Sequence, residues 1–508
     1  MNGLATRTFV IENHDEAFYL WADHGMRGRT VVHVDAHVDY FPGTCADIGS
    51  YIYHAHRRGL ISRFYWVVPD PTWQSPRLRR RLIGSMIELG LQADSGAAAG
   101  ISGSLQGLHF WVGPLGELPQ IDAPVLLDLD VDYFLTPFCY VGVREWLVPW
   151  RLPESLVRRL QDRQIRWDMA TIAASVEGGY TPMQWRLLAP YTQALLEGRS
   201  PGFSLSRLTG GALAYVLGDA GGARTHFATA ARAGAGTEEQ AAAEVWLARL
   251  SLEAGDPDSA RRHVRAAASF GEAYASSWIC PGFGFWYQGS TRAAVRSFRQ
   301  WSQALPEEPS LFSLWALAVL QDDPETAADL AARAYALGPE CADSNLALGR
   351  ALLRKGEPKA AVAHLERALA LVRRGGRTLL APIRSKAAPQ AASTLAIVTI
   401  MKDLMKAYYQ VGNAARAARF HDFLRQHRLM SPADEYELLR TLRRSGPAVP
   451  ALTRPLRGLP TRWQALVHRA LRLAYLAAGR TDHLIVEWQV RRLYGILSAP
   501  GKTGLGPI

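Results

Sequence analysis

The chain has 508 residues, which is too long for one ordinary domain, and its 48% hydrophobic content is normal for globular proteins. The N-terminal residues lack the apolar core of a signal peptide, and no segment approaches the length of a membrane span, so we expect a cytoplasmic protein of two or more domains. Cysteine chemistry is not expected, because Cys45, Cys139, Cys280 and Cys341 show no Cys-x-x-Cys spacing and fit reduced structural thiols.

Charge divides unevenly along the chain, whose formal net charge is +11 from 57 Lys and Arg against 46 Asp and Glu. Residues 1–200 contain 18 Arg, no Lys and 21 acidic residues, a balance of −3, so residues 201–508 hold 39 basic and 25 acidic residues, a balance of +14. The acidic half suits a cationic substrate, and the basic half could attract an acidic segment of a partner. Basic helices that only face solvent are an equal alternative.

The first predicted strand is the apolar run Val31–Val34, and Asp35, His37 and Asp39 follow it at alternate positions. Alternate residues of a strand point to the same side, so two carboxylates and an imidazole are expected to converge. Their mutual repulsion would be severe without a cation. The pattern therefore predicts a metal site.

A second carboxylate-rich strand is predicted from Val125, with Asp128, Asp130 and Asp132 at alternate positions. Its apolar run is typical of a buried parallel strand. Together the two strand ends predict a two-metal centre in an α/β domain, with ligands at the carboxyl ends of a mostly parallel sheet.

Helical repeats are predicted in the second half, where helix-breaking turns recur. Pro257, Thr291, Pro324 and Pro358 are spaced 34, 33 and 34 residues apart. This period resembles tetratricopeptide repeats, in which each unit is a helical hairpin that stacks on the next. We expect an α/β domain over residues 1–200 and an all-α solenoid of six or seven hairpins over residues 201–508.

The two carboxylate motifs resemble the metal-binding signature of the arginase and ureohydrolase superfamily. The resemblance covers roughly residues 8 to 195 and is nearest to an uncharacterised arginase-like family that includes the peptide arginases. In that family a histidine precedes the first motif by a little over twenty residues, and His14 stands at the corresponding place. The resemblance implies two Mn²⁺ ions, with Asp35 and Asp130 bridging them. It places one ion on His14, Asp35, Asp39 and Asp130, and the other on His37, Asp35, Asp130 and Asp132. Asp128 is expected to support the site rather than to bind metal, because Asp130 and Asp132 align better with the family's signature.

The resemblance also implies catalytic residues. Asp39 would pass a proton to the departing amine, and Glu177, after a last core strand from Thr171, would pair with a guanidinium. His109 is the candidate for the family's proton-shuttling histidine, with His54 and His56 as alternatives. Tyr180 could stabilise an oxyanion, although a buried structural tyrosine is the favoured interpretation. Oxygen-rich coordination favours Mn²⁺ over zinc, and Fe²⁺ or Co²⁺ could substitute.

The leading hypothesis is a peptide arginase, which hydrolyses the guanidinium of an arginine residue in a peptide to give ornithine and urea. The expected partner is an arginine-containing peptide or protein, with an acidic segment held by the basic repeats, rather than a nucleic acid or a membrane. One alternative is hydrolysis of free arginine, agmatine or an acetylated amine by the same site. The other is a non-enzymatic interaction platform with a degenerate metal domain.

Overall fold

The structure is a computed structural model that describes residues 7–42, 46–94, 100–139, 147–176, 180–271, 273–274, 290–374, 389–426 and 430. The strands are β1 Arg7–Ile11, β2 Arg29–Val34, β3 Ile61–Val68, β4 Leu91–Ala93, β5 Ile101–Leu105, β6 Leu108–Pro114, β7 Val125–Asp130 and β8 Trp167–Ala173. The helices of the first half are α1 Glu16–Asp23, α2 Tyr51–Arg57, α3 Asp70–Gln74, α4 Pro76–Glu88, α5 Asp132–Leu135, α6 Pro153–Asp162 and α7 Leu188–Leu196, with short 3₁₀ turns at Leu115–Glu117 and Met183–Trp185. The helices of the second half are α8 Ser206–Val216, α9 Ala220–Ala233, α10 Glu238–Glu253, α11 Pro257–Phe270, α12 Thr291–Ala304, α13 Pro309–Val319, α14 Pro324–Leu337, α15 Ala342–Lys355, α16 Pro358–Arg373, α17 Pro389–Val411 and α18 Ala414–Gln426.

All eight strands form one sheet in the order β1-β8-β7-β2-β3-β6-β5-β4. The pairings from β1 to β6 are parallel, whereas β5 runs antiparallel to both of its neighbours. The predicted mostly parallel sheet is therefore present. From β2 the chain continues to β3 on one side, and from β7 it continues to β8 on the other, so the strand order reverses between β2 and β7. Open α/β sheets bind ligands at the carboxyl ends of strands beside such a reversal.

The central strands are buried on both faces, which explains why they read as continuous apolar runs. In β2, Val32 and Val34 lie in one hydrophobic core, while Val31 lies in the core on the opposite face of the sheet. In β7, Leu127 belongs to the first core and Leu126 to the second. Side chains alternate between faces along a strand, so both cores are built from the same short segments.

The described residues of the second half form helical hairpins. The four residues that marked the predicted period, Pro257, Thr291, Pro324 and Pro358, are each the first residue of a helix. Proline suits this position because its missing N–H has no partner within the helix. Five complete hairpins lie in the described residues, together with α12, whose preceding segment 275–289 is outside them. Residues 431–508, where the last of the six or seven predicted hairpins would lie, also fall outside them.

The hydrophobic core of the sheet continues into the first hairpins. Trp185, which precedes α7, packs edge-on against Trp246 of α10 with ring centroids 6.5 Å apart. Trp246 also stacks on Phe227 of α9 at 4.7 Å. These side chains belong to the same buried cluster as Leu127. Residue 200 lies between α7 and α8, but the apolar packing crosses it.

Within the described residues, no helix combines the length and the apolarity needed to cross a bilayer.

Candidate metal centre

The candidate site lies at the carboxyl ends of four adjacent strands. His14 follows β1, Asp35 follows β2, Asp130 ends β7 and Ser175 follows β8. These strands are neighbours in the sheet although they are far apart along the chain. The sheet order thus brings the predicted motifs to one edge.

The local geometry of the first motif differs from the prediction. Strand β2 ends at Val34, so Asp35, His37 and Asp39 lie in a turn and do not alternate along a strand. The His37 backbone N–H donates to Asp35 Oδ1 over 2.7 Å, and Asp39 has a φ of 46° in the left-handed region. The turn folds the three side chains inward because its backbone is bonded to one of the carboxylates. Asp132 likewise begins helix α5 instead of continuing β7.

The first group of ligand atoms surrounds Nδ1 of His14. That atom lies 3.1 Å from Asp35 Oδ2, 3.4 Å from Asp39 Oδ2 and 3.1 Å from Asp130 Oδ2. All four side chains are buried. Ser175 donates from Oγ to Asp130 Oδ2 over 2.6 Å and so fixes the position of that carboxylate.

The second group surrounds Nδ1 of His37. It lies 2.8 Å from Asp132 Oδ2 and 3.5 Å from Asp35 Oδ1. Asp35 therefore turns one oxygen toward each histidine, which is the arrangement a bridging carboxylate needs. Asp130 Oδ1 accepts from the Asp132 backbone N–H over 2.9 Å, so bridging by Asp130 stays a prediction. The His37 side chain is 37% exposed, and the second group is the one that opens to solvent.

The electrostatics of the cluster show an excess of buried negative charge. Burial and the charge of Asp35 raise the pKa of Asp39 to about 6. Burial and neighbouring carboxylates also raise the pKa of Asp132 well above its ordinary value. Burial alone would lower the pKa of His14, but the surrounding carboxylates, with Asp128 foremost, outweigh it and raise that pKa. The cluster therefore favours bound positive charge.

The donor set fits divalent cations. His14 Nδ1, Asp35 Oδ2 and both carboxylate oxygens of Asp132 are buried without an aligned hydrogen-bond partner among the described residues. His14 Nδ1 and Asp35 Oδ2 form an ionic contact with each other, and Asp132 Oδ2 forms one with His37. Buried polar atoms are normally hydrogen-bonded, so such atoms are well placed to bind a cation. Ligand atoms of His14, Asp35 and Asp130 all lie within 4.8 Å of one another, as do those of Asp35, His37 and Asp132.

Sequence reasoning gave Asp128 a supporting role but missed its partners in a buried polar layer behind these groups. His33, in the middle of β2, faces Asp128 of β7 in the strand register, and its Nδ1 lies 2.9 Å from Asp128 Oδ2. Asp128 also accepts from Tyr51 Oη and Thr171 Oγ1, each over 2.5 Å. The signal was available, because a polar residue inside a doubly buried strand needs a partner, and β2 and β7 each contain one.

The structure corrects the placement of His109. In β6 its register partner is Arg63, near the start of β3, at the end of the sheet opposite the metal cluster. Its side chain is exposed, and its Nε2 lies 3.5 Å from Tyr65 Oη. His109 lies at the amino end of β6, whereas the metal cluster lies at the carboxyl ends of the parallel strands. The length of the strands separates the two, so His109 cannot shuttle a proton in this site. The alternative His56 is bonded through Nδ1 to Tyr40 Oη over 2.8 Å.

Two further predicted residues follow β8. Glu177 lies outside the described residues, so its assigned role stays a prediction. Tyr180 is half-buried and packs edge-on against His37, with ring centroids 4.9 Å apart. A tyrosine therefore lines the solvent-exposed side of the second group.

A buried ion pair connects the site to the helical half. Arg186 lies 3.2 Å from Glu12 Oε2, and Glu12 Oε1 accepts from the backbone N–H of Val176 over 3.3 Å. Burial lowers the pKa of Arg186, but Glu12, Tyr274 and Glu238 outweigh that effect and raise it. Val176, which directly precedes Glu177, is thus held by Glu12, and the Arg186 partner of Glu12 is also influenced by Glu238 and Tyr274 of the helical half.

No family model matches this chain, and no curated protein matches it. Several solved structures are similar to part of it. The crystal structure of MamA is 16% identical over 38% of this chain and 97% of its own length, with a TM-score of 0.23. A crystal structure of nearly identical TPR-like repeats, from a Podosopora anserina protein assigned as a kinesin light chain, is 18% identical over 36% of this chain and 92% of its own, with a TM-score of 0.22.

Proposed function

We propose that this protein is a metal-dependent hydrolase that cleaves the guanidinium of arginine residues in a peptide. The observation that carries the proposal is the position of Asp35, which offers one oxygen to the His14 group and the other to the His37 group. Two divalent ions bound there, proposed to be Mn²⁺, would lower the pKa of a water and supply a nucleophile near neutral pH. Water and the guanidinium then give urea and the protonated amine of ornithine, so atoms and charge balance.

The protein's own residues would position the substrate and move the proton. Asp39 is buried and its Oδ2 lies 3.4 Å from His14 Nδ1, inside the first ligand group, where it is proposed to accept a proton and to pass it to the departing amine. The exposed side of His37 offers an entrance, with Tyr180 beside it. Glu177 is proposed to pair with the guanidinium and to fix its plane.

A peptide is proposed as the substrate because the site is joined to a tetratricopeptide-like helical array. Stacked hairpins form extended surfaces that suit a peptide, whereas a single amino acid needs none. The net charge of +14 over residues 201–508, the difference between 39 basic and 25 acidic residues, favours an acidic segment next to the modified arginine. A cytoplasmic location is part of the same proposal.

The test compares substrates on the full chain, because the apolar core crosses residue 200. Protein loaded with Mn²⁺ is incubated with free arginine, agmatine, an acetyl-lysine peptide and an arginine peptide with an acidic flank. We expect urea and a loss of about 42 Da from the arginine peptide alone, abolished by Asp35→Ala. The matched control is Asp122→Ala, an exposed carboxylate just before β7.

Each other result selects an alternative. Turnover of free arginine, agmatine or the acetyl-lysine peptide instead would identify a hydrolase of the same site with a different substrate. Bound metal with no turnover of any of the four would refute guanidinium hydrolysis. Absence of metal binding would favour the non-enzymatic interaction platform.

A further inference from the structure

His33 is a buried histidine that the proposed reaction does not use. It is fully buried in the middle of β2, between the metal cluster and the side chains behind it. Its ring stacks on His14 with centroids 5.1 Å apart and an interplanar angle of 25°. Because its backbone is part of the central sheet, the ring has a rigid support.

Both ring nitrogens of His33 face oxygen atoms. Nδ1 lies 2.9 Å from Asp128 Oδ2, and Nε2 lies 3.1 Å from the backbone carbonyl oxygen of His37 and 3.2 Å from Asp35 Oδ2. A nitrogen that donates to oxygen has no lone pair for a metal. The His37 carbonyl can only accept, so Nε2 carries the N–H and donates to it, while Nδ1 faces Asp128, which is not a proposed ligand. We therefore place His33 outside the ligand set, although its ligand atom lies within 4.8 Å of those of Asp35 and Asp39.

The contact with the His37 carbonyl is the informative one. The turn of residues 35–39 carries three of the six proposed ligands. Its two ends are held by backbone bonds to Val67 and Ile52 and by Trp66 Nε1, which donates to the Asp35 carbonyl. Its middle is held by the His37 N–H bond to Asp35 and by the contact of the His37 carbonyl with His33. His33 holds the opposite side of the same peptide segment. At its other end Asp128 is anchored by Tyr51 and Thr171, so the hydrogen bonds run from α2 and β8 through His33 to the ligand turn.

We propose that His33 is a positioning residue that fixes the ligand turn through the His37 carbonyl and the His14 ring through stacking, so that ion binding depends on it although it binds no ion. The inference rests on the proposed metal site but not on its substrate. Partners of this kind orient metal ligands, and losing one typically reduces metal affinity by about 10–100-fold. We expect a loss of that size for His33→Phe, which keeps a ring for stacking and removes both hydrogen bonds.

Two polar variants separate the two ring nitrogens. The amide of His33→Gln reaches approximately to the place of Nε2 and can donate to the His37 carbonyl. The shorter amide of His33→Asn occupies approximately the place of Nδ1 and can bond only to Asp128. If the ligand turn is what His33 positions, glutamine should restore most of the affinity and asparagine should restore little.

The experiment is a titration of the full-length metal-free protein with Mn²⁺ alone, followed by calorimetry and by the spin-coupled electron paramagnetic resonance signal of an ion pair. The expected order of affinity is wild type, then His33→Gln, then His33→Asn and His33→Phe, with melting temperatures of the two metal-free amide variants alike. Thr171→Val is the control, because it removes a bond to Asp128 Oδ1 and leaves the contacts of His33 with Asp128 and with the His37 carbonyl in place.

Several results would overturn the inference. A Mn²⁺ affinity of His33→Asn that equals or exceeds that of His33→Gln would show that His33 does not position the ligand turn. If His33→Phe binds Mn²⁺ with wild-type affinity, His33 contributes only packing. If His33→Phe and His33→Gln each lose one ion and His33→Asn still binds it, His33 is a metal ligand through Nδ1. If wild type binds two ions and fails to cleave arginine, the proposed substrate is wrong while the order of the variants still decides the role of His33.

Discussion

Removing one carboxylate from the cluster should stabilise the metal-free protein while it weakens ion binding. Asp39→Asn is the suitable change, because asparagine has nearly the same shape and tolerates the left-handed backbone that residue 39 adopts, with φ 46°. The pKa of Asp39 is raised from 3.8 to about 6 by burial and by the charge of Asp35. An acid whose pKa is raised in the folded state lowers the free energy of unfolding as pH rises. Between the two pKa values the folded state still holds a proton that the unfolded state has released, so each increase in pH favours unfolding.

The size of the effect follows from that shift. At 1.36 kcal/mol for each pKa unit, the charged form of Asp39 costs about 3 kcal/mol at pH 7.5 and about half of that at pH 5. Asparagine carries no charge, so the advantage of the variant over wild type should grow between these two pH values. With Mn²⁺ present the order should reverse, because wild type keeps a ligand that the variant has lost.

The assay is urea unfolding in EDTA at pH 5 and pH 7.5, followed by tryptophan fluorescence, and then the same series with Mn²⁺. A higher midpoint for Asp39→Asn in EDTA, with a larger gap at pH 7.5, is the expected result. A variant that is less stable than wild type in EDTA at pH 7.5 would refute the reasoning, since Asp39 would then stabilise the metal-free fold through its contact with His14.

Three further predictions concern ion binding and the junction of the two halves. Asp35→Ala should abolish binding of both ions, whereas Asp132→Ala should remove only the ion on the exposed side. The number of ions bound, measured by calorimetry, distinguishes the two variants. Loss of a single ion in both variants would contradict the shared role of Asp35. Mn²⁺ affinity should rise between pH 6 and pH 8, because the raised pKa of His14 means that a proton competes with the ion for this histidine. An affinity that does not change with pH would count against His14 as a ligand. Trp246→Ala should cost about 3–5 kcal/mol because the ring is fully buried. It should also make both halves sensitive to proteolysis together; Leu217→Ala, at a 75% exposed site, is the control, and digestion of the repeats alone would show that the halves are independent.

Local pattern was sufficient for the elements that carry the candidate site. The apolar runs of β2 and β7 are recognisable because strands buried on both faces have little room for polar residues. The recurring proline turns of the second half also follow from local chemistry, since proline suits the first turn of a helix. These features depend on residues near one another in the chain, and they indicated the mostly parallel sheet, the helical hairpins and the two carboxylate motifs.

Contacts between distant segments required the tertiary structure. His33 and Asp128 are 95 residues apart and meet only because β2 and β7 are neighbours in register. His109 was misplaced because sequence does not tell which edge of the sheet a residue occupies until strand direction and register are known. The hydrophobic core that runs from the sheet to Trp246 likewise crosses residue 200, where charge and repeat period had suggested a domain boundary. The sequence by itself determined the types of element and the chemistry at their ends, whereas the order and register of the strands decided which side chains share the cluster.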